Sequence, residues 1–327
     1  MPITGPASYI PVTDEFLTHW QAANTALGLG NALVLSDGET RAILLAKKEQ
    51  LSQARIVVSS RAADVELARG DLDDRKRFLL MRLGQFFGKV RAYHGGTKWH
   101  RALPDLPSQT DGQTIVDEAL THGVILWEKL NADPAIANDV VVLDGYTQVQ
   151  FSLDVADLRT AYTTYNNTTK LLELAREDRN DIQDVIYPIL KNYREALPTF
   201  FQKEHALVDT LPRLTPGPGK TPNPVTATAT YDQVQHKAHV TWTESDANDL
   251  AEYRVAYTIG PVYSTDDEQF IGTILPGAPR EFFTDTHLAA NGNTISLKVY
   301  VITTTGHEKG SNAVTVTRVE APPPTGP

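Results

Sequence analysis

Asp14-Glu15-Phe16-Leu17-Thr18-His19 returns 103 residues later as Asp117-Glu118-Ala119-Leu120-Thr121-His122. Asp37-Gly38-Glu39-Thr40 returns as Asp144-Gly145-Tyr146-Thr147, and Glu66-Leu67-Ala68-Arg69 as Glu173-Leu174-Ala175-Arg176, both at an offset of 107. His100 and Leu106-Pro107 meet His205 and Leu211-Pro212 at 105. Self-similarity at a near-constant spacing marks a tandem unit of about a hundred residues. These matches define two helical repeats, 1–108 and 109–213, with four residues inserted between the first match and the second.

Within each repeat the apolar residues follow a helical period. Thr13 followed by Asp14 and Glu15 predicts an N-cap and a first helix to about Leu27. A second helix is expected after Ser36-Asp37-Gly38, with Leu44, Leu51, Ala54, Val58, Ala62, Val65 and Ala68 on one stripe. Its copy places Phe151, Leu158, Ala161, Tyr165, Thr169, Leu172 and Ala175 at the same seven positions. Gly70-Asp71-Leu72-Asp73-Asp74 predicts a break with acidic capping, followed by a third helix through Phe78, Leu83, Phe86 and Val90. The third helix of the second repeat is expected from Asn180-Asp181, kinked at Pro188 and ended by Pro198. The expectation is a pseudo-twofold bundle of six helices.

Residues 214–224, Leu-Thr-Pro-Gly-Pro-Gly-Lys-Thr-Pro-Asn-Pro, read as a stiff linker. Beyond it the period changes from 3.6 to 2. His239–Trp242, Tyr253–Tyr257, Phe270–Ile274, Ile295–Val301 and Ala313–Val316 alternate as short strands between turn residues. A β-sandwich over 225–320 follows, with a Pro-rich tail at 321–327. The fold class is multidomain, all-α plus all-β.

Val240-x-Trp242, Tyr253-x-Val255-x-Tyr257, and Leu288 ahead of Ile295-x-Leu297-x-Val299-x-Val301 resemble a fibronectin type III domain, with Gly306 and Ser311–Val314 supplying its closing hairpin. Ile295 stands where such domains carry the tyrosine of the tyrosine corner. Tyr9-Ile10-Pro11-Val12-Thr13-Asp14-Glu15-Phe16-Leu17 is similar to the opening of a group of uncharacterised bacterial proteins that pair a duplicated helical region with a C-terminal fibronectin-like domain. The domain order matches across nearly the whole chain, and no activity comes with the resemblance.

Composition narrows the function. With 41% apolar and 21% charged residues the 327-residue chain is ordinary for a globular protein. A net charge of −10 argues against nucleic acid as a partner. No apolar stretch is long enough to span a bilayer, and Met1–Pro6 lacks the pattern of a secretory signal. Zero cysteines exclude disulfides and thiolate chemistry, and fit an oxidising exterior.

Each remaining motif has a structural reading. Gly217-Pro218-Gly219-Lys220-Thr221 ends like a phosphate loop but has Leu214 where the first glycine belongs, so it reads as linker. His19 and His122, the matched helical histidines, lack a ligand partner at helical spacing and read as capping or packing. His236 and His239 fall on opposite faces of a strand. Asp71, Asp73 and Asp74 read as helix capping, and Asp266, Asp267 and Glu268 as a solvated loop, since neither follows calcium-loop spacing. Asn166 and Asn167 match the glycosylation pattern in mid-helix. Trp20, Trp99, Trp127 and Trp242 read as core, with Trp20 and Trp127 unmatched because an offset of 103 sets Trp20 against Gly123.

No catalytic, cofactor-binding or metal residues are therefore assigned, and no cofactor is expected. The reading is a non-catalytic structural protein that assembles with copies of itself into a filament, tube or layer, through an edge strand or the Pro-rich arms. The alternative is an adhesion module in which the sandwich presents loops to a surface glycan or protein. The expected location is extracellular or on the cell surface, otherwise cytoplasmic.

Overall fold

Thr40 and Thr147 start the two longest elements of the protein. The Ile43 amide donates to the Thr40 hydroxyl at 3.3 Å. In the second copy Gln150 N–H donates to Thr147 Oγ1 at 3.3 Å while Thr147 N–H donates to Gln150 Oε1 at 2.8 Å, a reciprocal cap. The computed structural model describes residues 2–28, 30–136 and 138–319. Its helices are α1 (Tyr9–Leu27), α2 (Arg41–Tyr93), α3 (Lys98–Arg101), α4 (Gln113–Asn131), α5 (Gln148–Phe200) and α6 (Ala206–Asp209). The Pro-rich tail at 321–327 lies outside the described residues.

The expected break at Gly70–Asp74 is absent. α2 and α5 each run unbroken for 53 residues, so the predicted second and third helices of each repeat are one. The third helix is instead the four-residue turn α3 or α6. A glycine inside a helix costs only about 1 kcal/mol, and here Leu72 is buried two residues on. The acids around it do not cap. Asp71 pairs with Arg75 at 2.8 Å and Asp74 pairs with Arg77, one turn along the same exposed face. α5 likewise passes through Pro188, which is exposed, so solvent reaches the carbonyl that proline leaves unpaired, and ends two residues beyond Pro198. α1 starts four residues before the predicted cap, and Thr13 lies buried inside it with its hydroxyl on the Tyr9 carbonyl at 2.7 Å.

The chain divides into two compact units, Met1–Ala63 with Glu173–Pro327, and Asp64–Leu172. In the second unit Leu79, Leu83, Phe86 and Val90 of α2 pack with Leu120, Trp127 and Leu130 of α4 and with Phe151 and Leu158 of α5. In the first, Val12, Phe16 and Trp20 of α1 pack with Leu44 and Leu51 of α2 and with Ile186, Leu190, Tyr193 and Leu197 of α5. Each core therefore combines the short helix and leading half of one repeat with the trailing half of the other repeat's long helix. All fourteen predicted stripe positions are buried or half-buried.

The two cores correspond residue for residue at an offset of 107. Trp20 stacks on Tyr193 with ring centres 4.6 Å apart, and Trp127 on Phe86 at 4.5 Å. Trp20 Nε1 donates to the Leu33 carbonyl at 3.3 Å, Trp127 Nε1 to that of Val140 at 2.7 Å. Asn24 accepts from Leu33 N–H and Asn131 from Val140 N–H, both at 2.9 Å. This overturns the register suggested by Asp14–His19 and Asp117–His122: Trp20 and Trp127 are equivalent, and no four-residue insertion follows them. A slip of four residues turns a helix by only about 40°, so it leaves an amphipathic pattern almost unchanged. The six-residue match was out of register by one turn.

The sandwich consists of β1 (Ala227–Asp232), β2 (Lys237–Trp242), β3 (Leu250–Ile259), β4 (Gln269–Ile274), β5 (Glu281–Thr284), β6 (Thr294–Thr303), β7 (Glu308–Gly310) and β8 (Val314–Thr317). One sheet has the order β1-β2-β5 and the other β4-β3-β6-β7, with β8 also on β6. All pairings are antiparallel. This is the arrangement of a fibronectin type III-like domain. Val240, Trp242, Val255, Leu297 and Val299 fill the space between the sheets, and Ile295 is buried with them, where it carries no hydroxyl for a tyrosine corner. β7 and β8 are one edge interrupted at Ser311, whose amide donates to Val299 O and whose hydroxyl accepts from Val299 N–H.

Candidate functional site

The sequence assigned no site residues, and the chemistry-bearing groups gather mostly where the sandwich meets the helices of its own unit. The loop before β4 carries Asp266, Asp267 and Glu268, expected to be solvated. It is held by three arginines instead. Arg176 grips Asp267 with two nitrogens, the Nε contact measuring 2.9 Å. Arg179, 3% exposed, donates to the Asp266 carbonyl and lies 3.7 Å from the Asp267 carboxylate. Arg55 donates to the Glu268 carbonyl at 2.6 Å and to the Pro6 carbonyl at 3.0 Å. Gln269 reaches Ser59.

The Glu268 side chain lies against the outer face of the β4-β3-β6 sheet, beside Tyr263 and Tyr300. It is buried, and its Oε2 accepts hydroxyl bonds from Tyr263 and Tyr300, each at 2.6 Å. Burial first, then the neighbouring carboxylate, pushes both phenols far above their usual range. Burial also pushes the Glu308 carboxyl up and holds the Arg179 guanidinium below its usual value. Tyr263 and Tyr300 thus share one carboxylate oxygen of Glu268, while Arg179 bonds the Asp266 carbonyl and Glu308 bonds Thr4.

The linker and N-terminus belong to the same contact. Gly217 N–H donates to Thr305 O at 2.8 Å, and His307 Nε2 meets Gly217 O at 3.0 Å. A side chain at Gly306, where φ is +86°, would strike Pro2. Ile3 N–H donates to Leu214 O at 3.0 Å, and Pro2 is buried. The N-terminal arm, expected to reach a neighbour, is thus occupied within its own chain.

His19 lines a groove of about 720 Å³ with Asp14, Thr18, Leu207 and Thr210. Its Nδ1 lies 2.7 Å from the Tyr193 hydroxyl and its Nε2 2.9 Å from the Leu207 carbonyl. A carbonyl only accepts, so Nε2 carries the proton and Nδ1 accepts from tyrosine. The ring thereby fastens α6 to α1. Its equivalent at 107 is Leu126, and His122, matched to it by sequence, is exposed. Burial lowers the pKa of His19 and of His287.

A histidine whose folded pKa lies below its unfolded value of 6.5 contributes stability that is complete above that value and is lost as pH falls through the folded pKa. The melting temperature is therefore expected to fall between pH 7.5 and pH 5.5, and the fall to shrink in a His19→Gln, His287→Gln variant. Thermal melts at the two pH values check this, and an unchanged slope in the variant would rule it out.

The other singled-out residues do not converge. His236 sits in the β1–β2 turn at φ +54°, not on a strand, while His239 stacks on Phe283 and lies 3.0 Å from Glu281. Asn166 and Asn167 are exposed on α5. Trp99 carries Lys98 over its ring at 4.5 Å. Among the described residues no cluster of His, Asp and Glu has the geometry of a metal site, and no helix is long and apolar enough to cross a membrane. Sequence reasoning missed the arginines, although Arg176 stands in the repeated Glu-Leu-Ala-Arg.

No family model matches the chain, and no curated protein matches it. Among solved structures it is similar to pectate lyase PelI from Erwinia chrysanthemi, with 20% identity over 28% of each chain and a TM-score of 0.24. It is similar also to a Fn3-like protein from Clostridium thermocellum (18% identity, 32% of this chain and 99% of that one, TM-score 0.24). The fn3 domain of the human collagen alpha-1(XX) chain gives 16% identity over 35% of this chain and 95% of that one, at a TM-score of 0.23. The chain spans 28% of the length of the lyase it matches.

Proposed function

We propose that this chain is a non-catalytic structural protein that assembles with copies of itself into an extracellular or surface filament, tube or layer. The observation that carries the reading is the composition of the two helical cores. Each repeat presents a face that receives the tryptophan-bearing helix of the other, so every chain holds two surfaces built to bind a repeat of its own kind. The arginine contacts to Asp266, Asp267 and Glu268 support it further, because they fix the sandwich on the helices of its unit, and a repeating assembly needs subunits of constant geometry. His19 and Glu268, both buried, and the half-buried Asp267 are each held by hydrogen bonds, to Tyr193, to Tyr263 and Tyr300, and to Arg176 respectively.

The adhesion alternative calls for aromatic side chains clustered on the surface of the sandwich. Among the described residues every tyrosine, phenylalanine and tryptophan of the sandwich is buried or half-buried. Size-exclusion chromatography with light scattering over a dilution series tests assembly. A mass that rises with concentration is expected, and a monomer throughout would sink the proposal.

A further inference from the structure

The two repeats complete each other, and nothing in either core requires that both come from one chain. Trp20 of the first repeat stacks on Tyr193 of the second, and Trp127 of the second on Phe86 of the first. Leu83 of the first repeat presses on Gly123 of the second so closely that a Cβ there would lie 2.4 Å from its terminal methyl. The contacts are reciprocal, as in an isologous dimer interface. The repeats are joined by residues 94–112, of which only Lys98–Arg101 form a helix. Fully extended, that connection spans about 60 Å.

From these observations we infer that the chain assembles by exchange of repeats, the first repeat of one copy packing with the second repeat of another. The inference rests on the assembly reading above and supplies its mechanism. Every contact between the repeats can be made in either form, so the balance is set by the connection, whose Trp99 and Leu103 pack on the helical core and whose Asp111 carbonyl accepts from Lys76 in the closed form. A flexible tether holds its ends at an effective concentration of about a millimolar. A dilute chain therefore closes on itself, whereas chains that fold while crowded pair with neighbours. Reciprocal exchange gives a dimer, and exchange passed from each copy to the next gives an open chain of copies.

The absence of native cysteine makes the test direct. Leu83→Cys and Gly123→Cys variants are unfolded together, refolded at high protein concentration and oxidised. Exchange predicts disulfide-linked pairs of the two variants in clear excess over like pairs, with the double variant in dilute solution closing its bridge within one chain. A double variant that closes its bridge, beside unlike pairs no commoner than like ones, would overturn exchange. Native mass spectrometry of isotope-labelled and unlabelled wild-type chains refolded together gives a readout free of substitutions. Mixed-mass dimers are expected, and monomers alone would contradict it. Assemblies by light scattering without cross-chain pairs would sink exchange and leave the assembly reading standing, whereas monomers in both experiments would sink both.

Discussion

Trp127→Ala is expected to destabilise the Asp64–Leu172 unit by about 3–5 kcal/mol, the range for removing a large buried aromatic. Trp20→Ala is expected to do the same to the other unit. Both indoles have 0% exposure, both stack on a ring contributed by the opposite repeat, and both donate to a backbone carbonyl thirteen residues on. Alanine removes the contact area, the stacking and the hydrogen bond together, leaving the half-buried Val140 carbonyl or the buried Leu33 carbonyl without its indole donor. The two tryptophans belong to separate core clusters, so the effects should add in the double variant. Calorimetry checks this. A loss below about 1 kcal/mol from either substitution would show that the ring is not a core element, since the usual surface change stays within about 0.5 kcal/mol.

The second large effect is expected at Arg179. Arg179→Ala leaves the Asp266 carbonyl without this donor and removes one of two cations beside the Asp267 carboxylate, whose side chain is 11% exposed. Breaking a buried ion pair by deleting one partner costs about 3–5 kcal/mol, because the remaining charge is left with less compensation. The remaining bidentate bond from Arg176 places the expected value at the lower end. The sandwich should also loosen from the helices, so that protease is expected to cut within 214–224 faster than in the wild type, where Gly217 is bonded to Thr305 and His307. Lys170→Ala, on an exposed position of α5, is the control and should change neither readout. Unaltered protection in the Arg179 variant would show that the clamp does not hold the sandwich in place.

Periodicity made much of this architecture legible. The stripe from Leu44 to Ala68 and its copy from Phe151 to Ala175 were read from spacing alone, as were β2, β3, β4, β6 and β8. β1, β5 and β7 were missed because short edge segments such as Glu281–Thr284 offer too few alternations. Gly70 and Pro188 misled for a common reason: local propensity is overridden when flanking turns are packed, as Leu72 and Ile189 are. The register of the first helices was hidden by the near-equivalence of positions four apart. The arginine contacts were the least legible part, because Arg176 and Asp267 meet only once the sandwich has folded back on the helices, and no sequence spacing reports a contact 91 residues long.

Electron microscopy of the purified full-length protein tests the central claim most directly. Filaments, tubes or layers with one chain as the repeating unit, growing in length or extent with protein concentration, are the predicted result. Separate single-chain particles at every concentration and salt would contradict it.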